Sequence, residues 1–415
     1  MVDVIAAPRP VMSIARVSFF GALLIAIGPI SMTLYSPAMT SIVEAMGTTE
    51  AMVKLTMTSY YAGFAFAQLL AGPISDALGR RGVTAAFIGL FLFGTLICLV
   101  APSVEILIAG RVLQGLGASA GAVISRAVIR DVFEGDDSSR IMNLIGIILA
   151  VGPAFAPTLG ALILSFWGWQ STFVFMFLMG SGVLVAMLIG MRETAPVERP
   201  SFRLAPLLTN YGVLIRNRSF LATTTVVAGA VGIFYAQSTL LPFVLMGRIG
   251  MSASEFGIGM LLQWGGYFAG AIVVRGLMDR VGAMALVLPG LLIVSVASVL
   301  LLNTLIFTPS YLTVMLPIAL LTFGNAFVGP AMTTATLAPF PRMAGTASSL
   351  MGFLQMAAGL LVSTFASFAP DPVLALVAAS VGMSAMSCLA FTYYRLKFRR
   401  VAVNPPLILR SPADD

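Results

Sequence analysis

The chain has 415 residues, of which 59% are hydrophobic and only 9% are charged, and its mean hydropathy is +1.01. A soluble domain usually carries about 25% charged residues, so this composition excludes a soluble globular protein and indicates an integral membrane protein. The net charge of +7 would suit a nucleic-acid-binding protein, but the chain lacks the Lys-rich, solvated helices of such proteins, and we expect no nucleic-acid partner.

Twelve apolar runs are each long enough to cross a bilayer, which requires about 20 residues. The runs lie near 17–39, 58–77, 84–101, 106–126, 141–164, 172–191, 219–241, 256–276, 283–305, 311–334, 346–368 and 373–394. The first run lacks a signal-peptide cleavage pattern, so we expect it to remain as the first span. The pattern predicts an all-α membrane protein with twelve transmembrane helices that contacts the lipid bilayer directly.

A polar segment rich in Arg and Pro separates the first six runs from the last six. It predicts five parts: a cytoplasmic N-terminal segment 1–16, a six-helix bundle 17–191, a cytoplasmic linker 192–218, a second six-helix bundle 219–395 and a cytoplasmic tail 396–415. With this topology nearly all of the 23 basic residues fall on one side of the membrane. The positive-inside rule therefore places both termini in the cytoplasm.

A short Asp-x-x-Gly motif follows both the second and the eighth run. The first copy contains Asp76, Gly79, Arg80 and Arg81, and the second contains Asp279, Arg280 and Gly282. The copies lie about half a chain length apart, which indicates two pseudo-symmetric bundles, as in transporters built from repeats. Gly permits a sharp reversal of the chain, and Asp can accept hydrogen bonds at a helix N-terminus. A topological stop with a tight turn would explain the motif equally well.

The fourth run carries a charged residue, Arg111, with Gln114 on the same helix face. A charge at the centre of a span costs roughly 2.5–3.5 kcal/mol and usually faces protein or water, so this pair predicts a polar patch facing a cavity. The alternative is that Arg111 extends to the outer lipid headgroups. The small residues from Gly115 to Gly121 permit either close helix contact or a wide passage.

Charged residues return at the other end of the fourth run. Arg126 lies roughly 22 Å beyond Arg111 at about 1.5 Å per helical residue, which places it near the cytoplasmic end. Asp131 follows it and is a natural partner for Arg80 in the neighbouring turn.

These motifs resemble those of the major facilitator superfamily. Residues 76–81 are similar to its signature loop, residues 111–115 to the fourth-helix motif of its drug exporters, and GPAFAPTLGAL (152–162) to its antiporter motif. The stretches YSPAM, AQLLAGPISDALGRRG, SRAVIRD, GWQSTF and PFPRMAGTASSLMGFLQ resemble the bicyclomycin/chloramphenicol-resistance (Bcr/CflA) branch. The resemblance covers about residues 17–395.

The resemblance implies a fold of two six-helix bundles that rock around a central site. It implies a multidrug efflux transporter of the bacterial inner membrane, a proton-driven antiporter that confers antibiotic resistance. We expect gating or conformational roles for Gly72, Asp76, Gly79, Arg80, Arg81, Arg126, Asp131, Gly152, Pro153, Pro157, Asp279 and Arg280.

One position departs from the branch pattern. The branch typically has an Asp two residues before the Tyr of its first-helix motif, and this chain has Thr33 before Tyr35. No predicted span contains a centrally placed Asp or Glu, and the chain has no His. Proton coupling is therefore implied by the resemblance alone, without a titratable carrier in the spans.

Polar and aromatic side chains in the spans predict a weakly polar cavity for varied amphiphilic ligands. The candidate substrate-binding residues are Thr33, Tyr35, Tyr61, Gln68, Arg111, Gln114, Tyr235, Gln237, Gln263, Trp264, Asn325 and Gln355. Hydrogen bonding between helices would explain each of them as well. With Arg111 as the intramembrane charge, an anionic or neutral polar substrate is favoured over a cation.

Several other functions compete with export as an interpretation of the sequence. The missing carboxylate and the retained Arg111 also suit a facilitator or importer of a small anionic metabolite without proton coupling. An enzyme is not expected, because the spans lack clustered nucleophiles, acid–base groups or metal ligands. An ATP-driven pump is disfavoured because no phosphate-binding loop occurs, and a non-transporting receptor or scaffold stays an alternative. We expect a monomer with no cofactor, metal site or disulfide, since Cys98 and Cys388 lie in apolar runs.

Overall fold

The protein is all-helical over the residues that the computed structural model describes, which are 12–133, 135–195 and 204–398. The first half comprises α1 (Ile14–Tyr35), α2 (Ala38–Ala45), α3 (Glu50–Leu78), α4 (Arg80–Leu99), α5 (Val104–Val132), α6 (Gly135–Trp167) and α7 (Gln170–Gly190). After α8 (Leu204–Arg216), the second half comprises α9 (Arg218–Pro242), α10 (Ala253–Val281), α11 (Val287–Leu300), α12 (Asn303–Ile306), α13 (Tyr311–Leu337), α14 (Ala344–Ser367) and α15 (Pro372–Phe398). Most of the predicted terminal segments 1–16 and 396–415, and the middle of the predicted linker, lie outside the described residues.

Every predicted run overlaps a helix, and length and composition identify fewer than twelve candidate spans among the described residues. Within the described ranges, ten helical segments are long and apolar enough to cross a membrane, and a shorter apolar segment covers Val151–Trp167. Helix α3 is not among the ten. It carries hydroxyl and amide side chains along its length, such as Thr56, Ser59 and Gln68, and these lower its hydropathy.

The first predicted run is two helices rather than one bent helix. Helix α1 ends at Tyr35 and α2 begins at Ala38, with Pro37 at the N-cap. Because Pro has no backbone N–H, the hydrogen-bond ladder is interrupted at this point. The break leaves the Ser36 hydroxyl to donate to the backbone carbonyl of Ser238 in the second half, at 3.3 Å.

One helix lies at the centre of each half. In the first half, α5 packs against α1, α3 and α4, and in the second, α13 packs against α9, α10 and α11. The halves meet along α3 with α14 and along α6 with α10. The corresponding turns also match, because Gly79 (φ 100°, ψ 145°) and Gly282 (φ 80°, ψ 149°) share a left-handed conformation that favours glycine.

The linker contains a helix, α8, that packs on both halves. Its buried Leu207, Tyr211 and Leu214 form a cluster with α14 residues, and Leu69 of α3 packs against this cluster. The Tyr211 hydroxyl donates to the Leu69 carbonyl at 2.8 Å. Pro73, four residues after Leu69, cannot supply the usual helical donor, so the linker satisfies a carbonyl that α3 leaves free.

The small residues of α5 provide close helix contact and not a wide passage. A Cβ atom on Gly115 would lie 2.2 Å from the Tyr60 carbonyl oxygen of α3, and one on Gly117 would lie 2.2 Å from the Phe91 nitrogen of α4. One on Gly121 would lie 2.0 Å from the Leu24 carbonyl oxygen of α1. Each glycine thus allows a different neighbour to approach the α5 backbone.

We predict that Gly121→Ala destabilises the protein, because its methyl group would overlap a main-chain oxygen that no rotamer change can move. Overpacking of this kind costs about 1–3 kcal/mol, so the midpoint of thermal unfolding in detergent should fall. The matched control is Gly89→Ala in α4, where an added Cβ meets nothing within 4 Å. The control should unfold at the wild-type temperature or slightly above it, and equal midpoints for the two variants would contradict the packing described.

Candidate functional site

A cavity of about 890 Å³ lies between the two halves. Its lining comes from α1, α3 and α5 on one side and from α9 and α14 on the other. Its polar and charged lining residues include Gln68, Asp76, Arg80, Arg126, Thr346, Ser348, Ser349 and Gln355. The cavity extends to the end of the molecule that carries Asp76, Arg80 and Arg126, which we name the basic end.

Contacts between the halves close the opposite end. Besides the Ser36–Ser238 hydrogen bond, the Thr158 hydroxyl of α6 donates to the Gly257 carbonyl of α10 at 2.7 Å. The Lys54 ammonium of α3 lies 4.6 Å from the ring centroid of Phe243, in a π-helical segment that follows α9. These contacts therefore close the first cavity at the end of the molecule opposite the basic end.

A second cavity of about 330 Å³ adjoins the first. The two share lining residues such as Pro29, Phe64 and Tyr235. The second is mainly aromatic, with Phe234, Trp264 and Tyr267, and its polar lining comes from Gln263, Thr322 and Asn325. None of the described residues that line it carries a charge.

Half of the predicted substrate-binding residues line these cavities. Gln68 and Gln355 line the first, Gln263, Trp264 and Asn325 line the second, and Tyr235 lines both. Neither cavity is lined by Thr33, Tyr35, Tyr61, Arg111, Gln114 or Gln237.

The expected cavity patch of Arg111 and Gln114 is wrong in its placement, and so is the alternative of headgroup contact. Arg111 is fully buried inside the first half, with its guanidinium carbon 4.3 Å from the ring centroids of both Tyr35 and Tyr60. It donates to the Gln114 amide oxygen, and Gln114 donates to the Thr95 hydroxyl at 2.9 Å. Aromatic faces attract a cation, most strongly where water is excluded. Here the rings of the two tyrosines contact the guanidinium in the place where a carboxylate counter-ion would be expected.

The other buried candidates are occupied by contacts within the protein. The Thr33 hydroxyl donates to the Pro29 carbonyl at 3.0 Å within α1, and the Tyr35 hydroxyl shares a 2.6 Å hydrogen bond with Thr56. The Tyr61 hydroxyl donates to the Tyr235 carbonyl at 3.4 Å and so joins the two halves. Gln237 accepts a hydrogen bond from Gln263 at 2.6 Å.

Arg80 organises the turn between α3 and α4. Its side chain is buried, and its Nε donates to Asp131 Oδ2 at 2.8 Å, which confirms the predicted pair. The same guanidinium pairs with Asp76 and donates to the Ser75 hydroxyl at 2.6 Å. The ends of α3 and α5 are thus joined through one cation.

Sequence reasoning missed Glu193, which caps α4. Its carboxylate accepts hydrogen bonds from the backbone N–H groups of Arg80 at 2.8 Å and Arg81 at 3.3 Å. Partial burial raises the pKa of Glu193, but hydrogen bonds from four backbone N–H groups outweigh that effect and hold the pKa below its usual range. No spacing rule could locate this residue, because 113 positions separate it from Arg80.

The second copy of the turn lacks these partners. Asp279 and Arg280 are exposed, and neither forms an ion pair among the described residues. Ala283 occupies the position after Gly282 that Arg80 occupies after Gly79. The duplicated turns therefore share their backbone shape and not their electrostatics.

The remaining gating candidates lie at helix contacts. Gly72 lines the first cavity, and a Cβ atom there would lie 3.3 Å from the Val123 side chain. Gly152 faces Ile30, and Pro153 lines the second cavity. Pro157 lies beside Gly257 at the α6–α10 contact.

Arg81 donates to the Leu188 carbonyl at the end of α7.

Several cavity residues were not anticipated from the sequence. Met32, Phe234 and Met356 supply apolar lining, and Ser348 accepts a hydrogen bond from Arg126 at 3.2 Å. Phe234 precedes Tyr235, so extending the aromatic pattern by one residue would have found it.

We predict that Glu193→Gln lowers stability by about 1 kcal/mol at neutral pH, the usual loss for a helix cap. Because folding lowers the pKa of Glu193, its contribution is present at neutral pH and is lost as the pH falls through that lowered pKa. Thermal midpoints of wild type and variant in detergent should therefore differ at pH 7 and converge in acid. Glu44→Gln, at an exposed residue in α2, is the control. A difference that stays constant into acid would contradict the capping role.

Comparisons with known proteins identify relatives over nearly the whole chain. The family model described as Major Facilitator Superfamily matches residues 21–363. Multidrug resistance protein D of Escherichia coli (strain K12) is 32% identical over 350 residues, covering 82% of this chain and 86% of the relative. Multidrug resistance protein MdtL of Escherichia coli is 30% identical over 337 residues, covering 80% and 83%.

Solved structures agree in fold. A bacterial homologue of the human lysosomal transporter Spinster, in an inward-facing and unoccupied conformation, superposes with a TM-score of 0.71 at 16% sequence identity, covering 96% of this chain and 99% of that one. This likeness shows the fold alone. The family match and the identity to the curated relatives together show that this chain, a multi-pass membrane protein, belongs to the major facilitator superfamily of transporters.

Proposed function

We propose that this protein exports small amphiphilic compounds, antibiotics or metabolites, across the bacterial inner membrane. The observation that carries the proposal is the cavity of about 890 Å³ between the halves, which reaches the basic end and is closed at the other end by inter-half contacts. A binding space bounded at one end is what a carrier needs to load substrate from one side at a time.

The proposed architecture is twelve spans in two bundles, 17–191 and 219–395, joined by the linker 192–218. We place the basic end and both termini in the cytoplasm. Arg80, Arg81, Arg126 and Arg216 gather there, and basic residues favour the cytoplasmic side. Loading from the cytoplasm then gives export as the direction of transport, and we expect a monomer to suffice.

Alternating access requires the contacts at the closed end to separate while the basic end closes. The closed end is joined by few directional contacts, such as Ser36 with Ser238 and Lys54 with Phe243. At the basic end, Arg126 of α5 already donates to Ser348 of α14. Rocking of the halves would exchange one small set of polar contacts for another.

The substrate class follows from the lining. Aromatic and Met side chains such as Phe64, Tyr235 and Met356 adapt to varied shapes, and Gln and Ser residues supply uncharged hydrogen-bonding groups. The names of the two Escherichia coli relatives support multidrug export, and the sequence motifs support membership of the Bcr/CflA branch.

Proton antiport is the proposed driving mechanism, and its carrier differs from that of the branch. Thr33 cannot carry a proton near neutral pH, and Asp76 is the one carboxylate among the described residues that line the first cavity. We therefore place any coupled proton at the basic end.

A second candidate function is a facilitator or importer of a small anionic metabolite without proton coupling. Arg126 favours it, because its side chain is exposed in the first cavity and has no carboxylate partner among the described residues. Its one described hydrogen bond is to Ser348. An anionic ligand would find in it an unpaired cation.

Export predicts that an efflux-deficient bacterial host expressing this protein accumulates less chloramphenicol than the same host with an empty vector. If proton antiport drives export, a protonophore should raise accumulation to the empty-vector level. Radiolabelled drug in washed cells provides the measurement. Efflux that persists under the protonophore would reject proton coupling, and accumulation equal to the empty vector would reject export of this compound.

The anion alternative makes a separate prediction for Arg126→Gln. Loss of a charge-assisted hydrogen bond is worth about 1.5–3 kcal/mol, so the KM for salicylate transport in vesicles should rise about tenfold or more. Transport of the uncharged chloramphenicol should change little. Arg218→Gln, at an exposed Arg that lines neither cavity, is the matched control. Absence of salicylate transport by the wild type would remove this alternative.

A further inference from the structure

The second cavity is bordered by buried polar atoms that have no hydrogen-bond partner in the described part of the protein. These atoms are Gln263 Oε1, Trp264 Nε1 and Asn325 Oδ1, and all three residues line the cavity. Gln263 is only 1% exposed. Gln237 Nε2, beside Gln263, is unpaired as well. Buried polar groups in native proteins are nearly always paired, so water or a ligand in the cavity is the available source of partners for the three lining residues.

The two amide groups are held in fixed orientations. Gln263 uses its Nε2 to donate to Gln237 at 2.6 Å, and Asn325 uses its Nδ2 to donate to the Ala230 carbonyl at 3.3 Å. One N–H of each amide is therefore engaged inside the protein, and both oxygen atoms have no hydrogen-bond partner among the described residues. Trp264 adds one free N–H group. A matching ligand supplies donors for two acceptors and an acceptor for one donor.

The apolar part of the lining specifies the rest of the ligand. The rings of Phe234 and Trp264 lie edge to face at 5.5 Å, and those of Trp264 and Tyr267 at 6.2 Å. Such a wall packs well against another aromatic ring. No described lining residue is charged, so an anionic ligand would be buried here without a counter-ion. A quaternary cation can pack on the rings, but it has no N–H group for the two acceptor oxygens. A volume of about 330 Å³ suits a ligand of one or two rings.

We propose that this cavity is a binding subsite for uncharged planar aromatic compounds that carry a carboxamide or an equivalent donor–acceptor group. It differs from the first cavity, which Asp76, Arg80 and Arg126 line, because none of its described lining residues is charged. The role of the subsite in export rests on the proposed function, whereas binding itself does not.

Three naphthalene probes with the same rings test the proposal. Binding of 2-naphthamide, 2-naphthoate and 2-naphthyltrimethylammonium to the full chain, purified in detergent micelles, is measured by isothermal titration calorimetry. The neutral amide should bind at least about tenfold more tightly than either charged analogue, because only the amide carries N–H groups that can donate to the two free acceptor oxygens. Equal affinities for the three probes would overturn the proposal.

Two variants locate the site. Asn325→Ala removes one acceptor, and Trp264→Phe removes the N–H group while keeping an aromatic ring, so the second guards against loss of fold. Each should weaken 2-naphthamide binding about fivefold, as expected for one hydrogen bond. The matched controls are Asn303→Ala and Trp167→Phe, at exposed residues that line neither cavity, and both should bind as the wild type does. Wild-type affinity in both test variants would show that the free atoms meet water only, and would overturn the subsite.

Binding in micelles needs no membrane gradient, so the subsite and the export function fail independently. A protein that exports chloramphenicol from cells but does not bind 2-naphthamide retains the export function and loses the subsite. A protein that binds 2-naphthamide with the predicted variant pattern but leaves accumulation in cells unchanged retains the subsite and loses the export function.

Discussion

Backbone-to-backbone contact along α5 fixes where the charges of the first half lie. Gly115, Gly117 and Gly121 allow α3, α4 and α1 to approach the same helix, so α5 has no face left that could open a wide passage through the bundle. Its Arg111 is consequently enclosed between the rings of Tyr35 and Tyr60. Further along, where the halves diverge toward the basic end, Arg126 reaches the cavity. One helix thus presents a sequestered cation and an available one.

The enclosure of Arg111 also explains the limits of sequence reasoning at the site. The sequence shows a charge in a span and a Gln on the same face, and a cavity is the usual destination of such a pair. Two tyrosines from α1 and α3 enclose the guanidinium instead, and their proximity is a property of tertiary packing. The pair of Arg80 and Asp131 was predictable, because Arg80 begins α4 and Asp131 lies at the end of α5. Both residues are therefore on the same side of the molecule. The capping role of Glu193 was not predictable, because it depends on the position that the chain takes after α7.

The fold was more accessible than the site because hydropathy and duplication act over long stretches of chain. Apolar runs located the helices, and the repeated Asp-x-x-Gly turn indicated two halves whose Gly79 and Gly282 have matching backbone angles. Helix α3 shows where that logic weakens. It is buried against α5 and α14, so it can carry hydroxyl and amide groups that a lipid-facing helix would not. Hydropathy alone therefore does not identify it as a membrane span.

The two halves divide the chemistry between them. The charged residues that line the cavities, Asp76, Arg80 and Arg126, come from the first half, whereas the described residues of the second half contribute uncharged amides and rings. The second cavity is nonetheless lined from both sides, with Met32 and Pro153 facing Trp264 and Asn325. A ligand there touches both halves, and it also satisfies atoms that the protein leaves unpaired. Since a ligand shifts a conformational equilibrium only by binding one state better than another, such a ligand favours the arrangement in which both sets of contacts are made at once. In the proposed export mechanism, this arrangement would draw the halves together around the substrate, as the intermediate between the two states of alternating access requires.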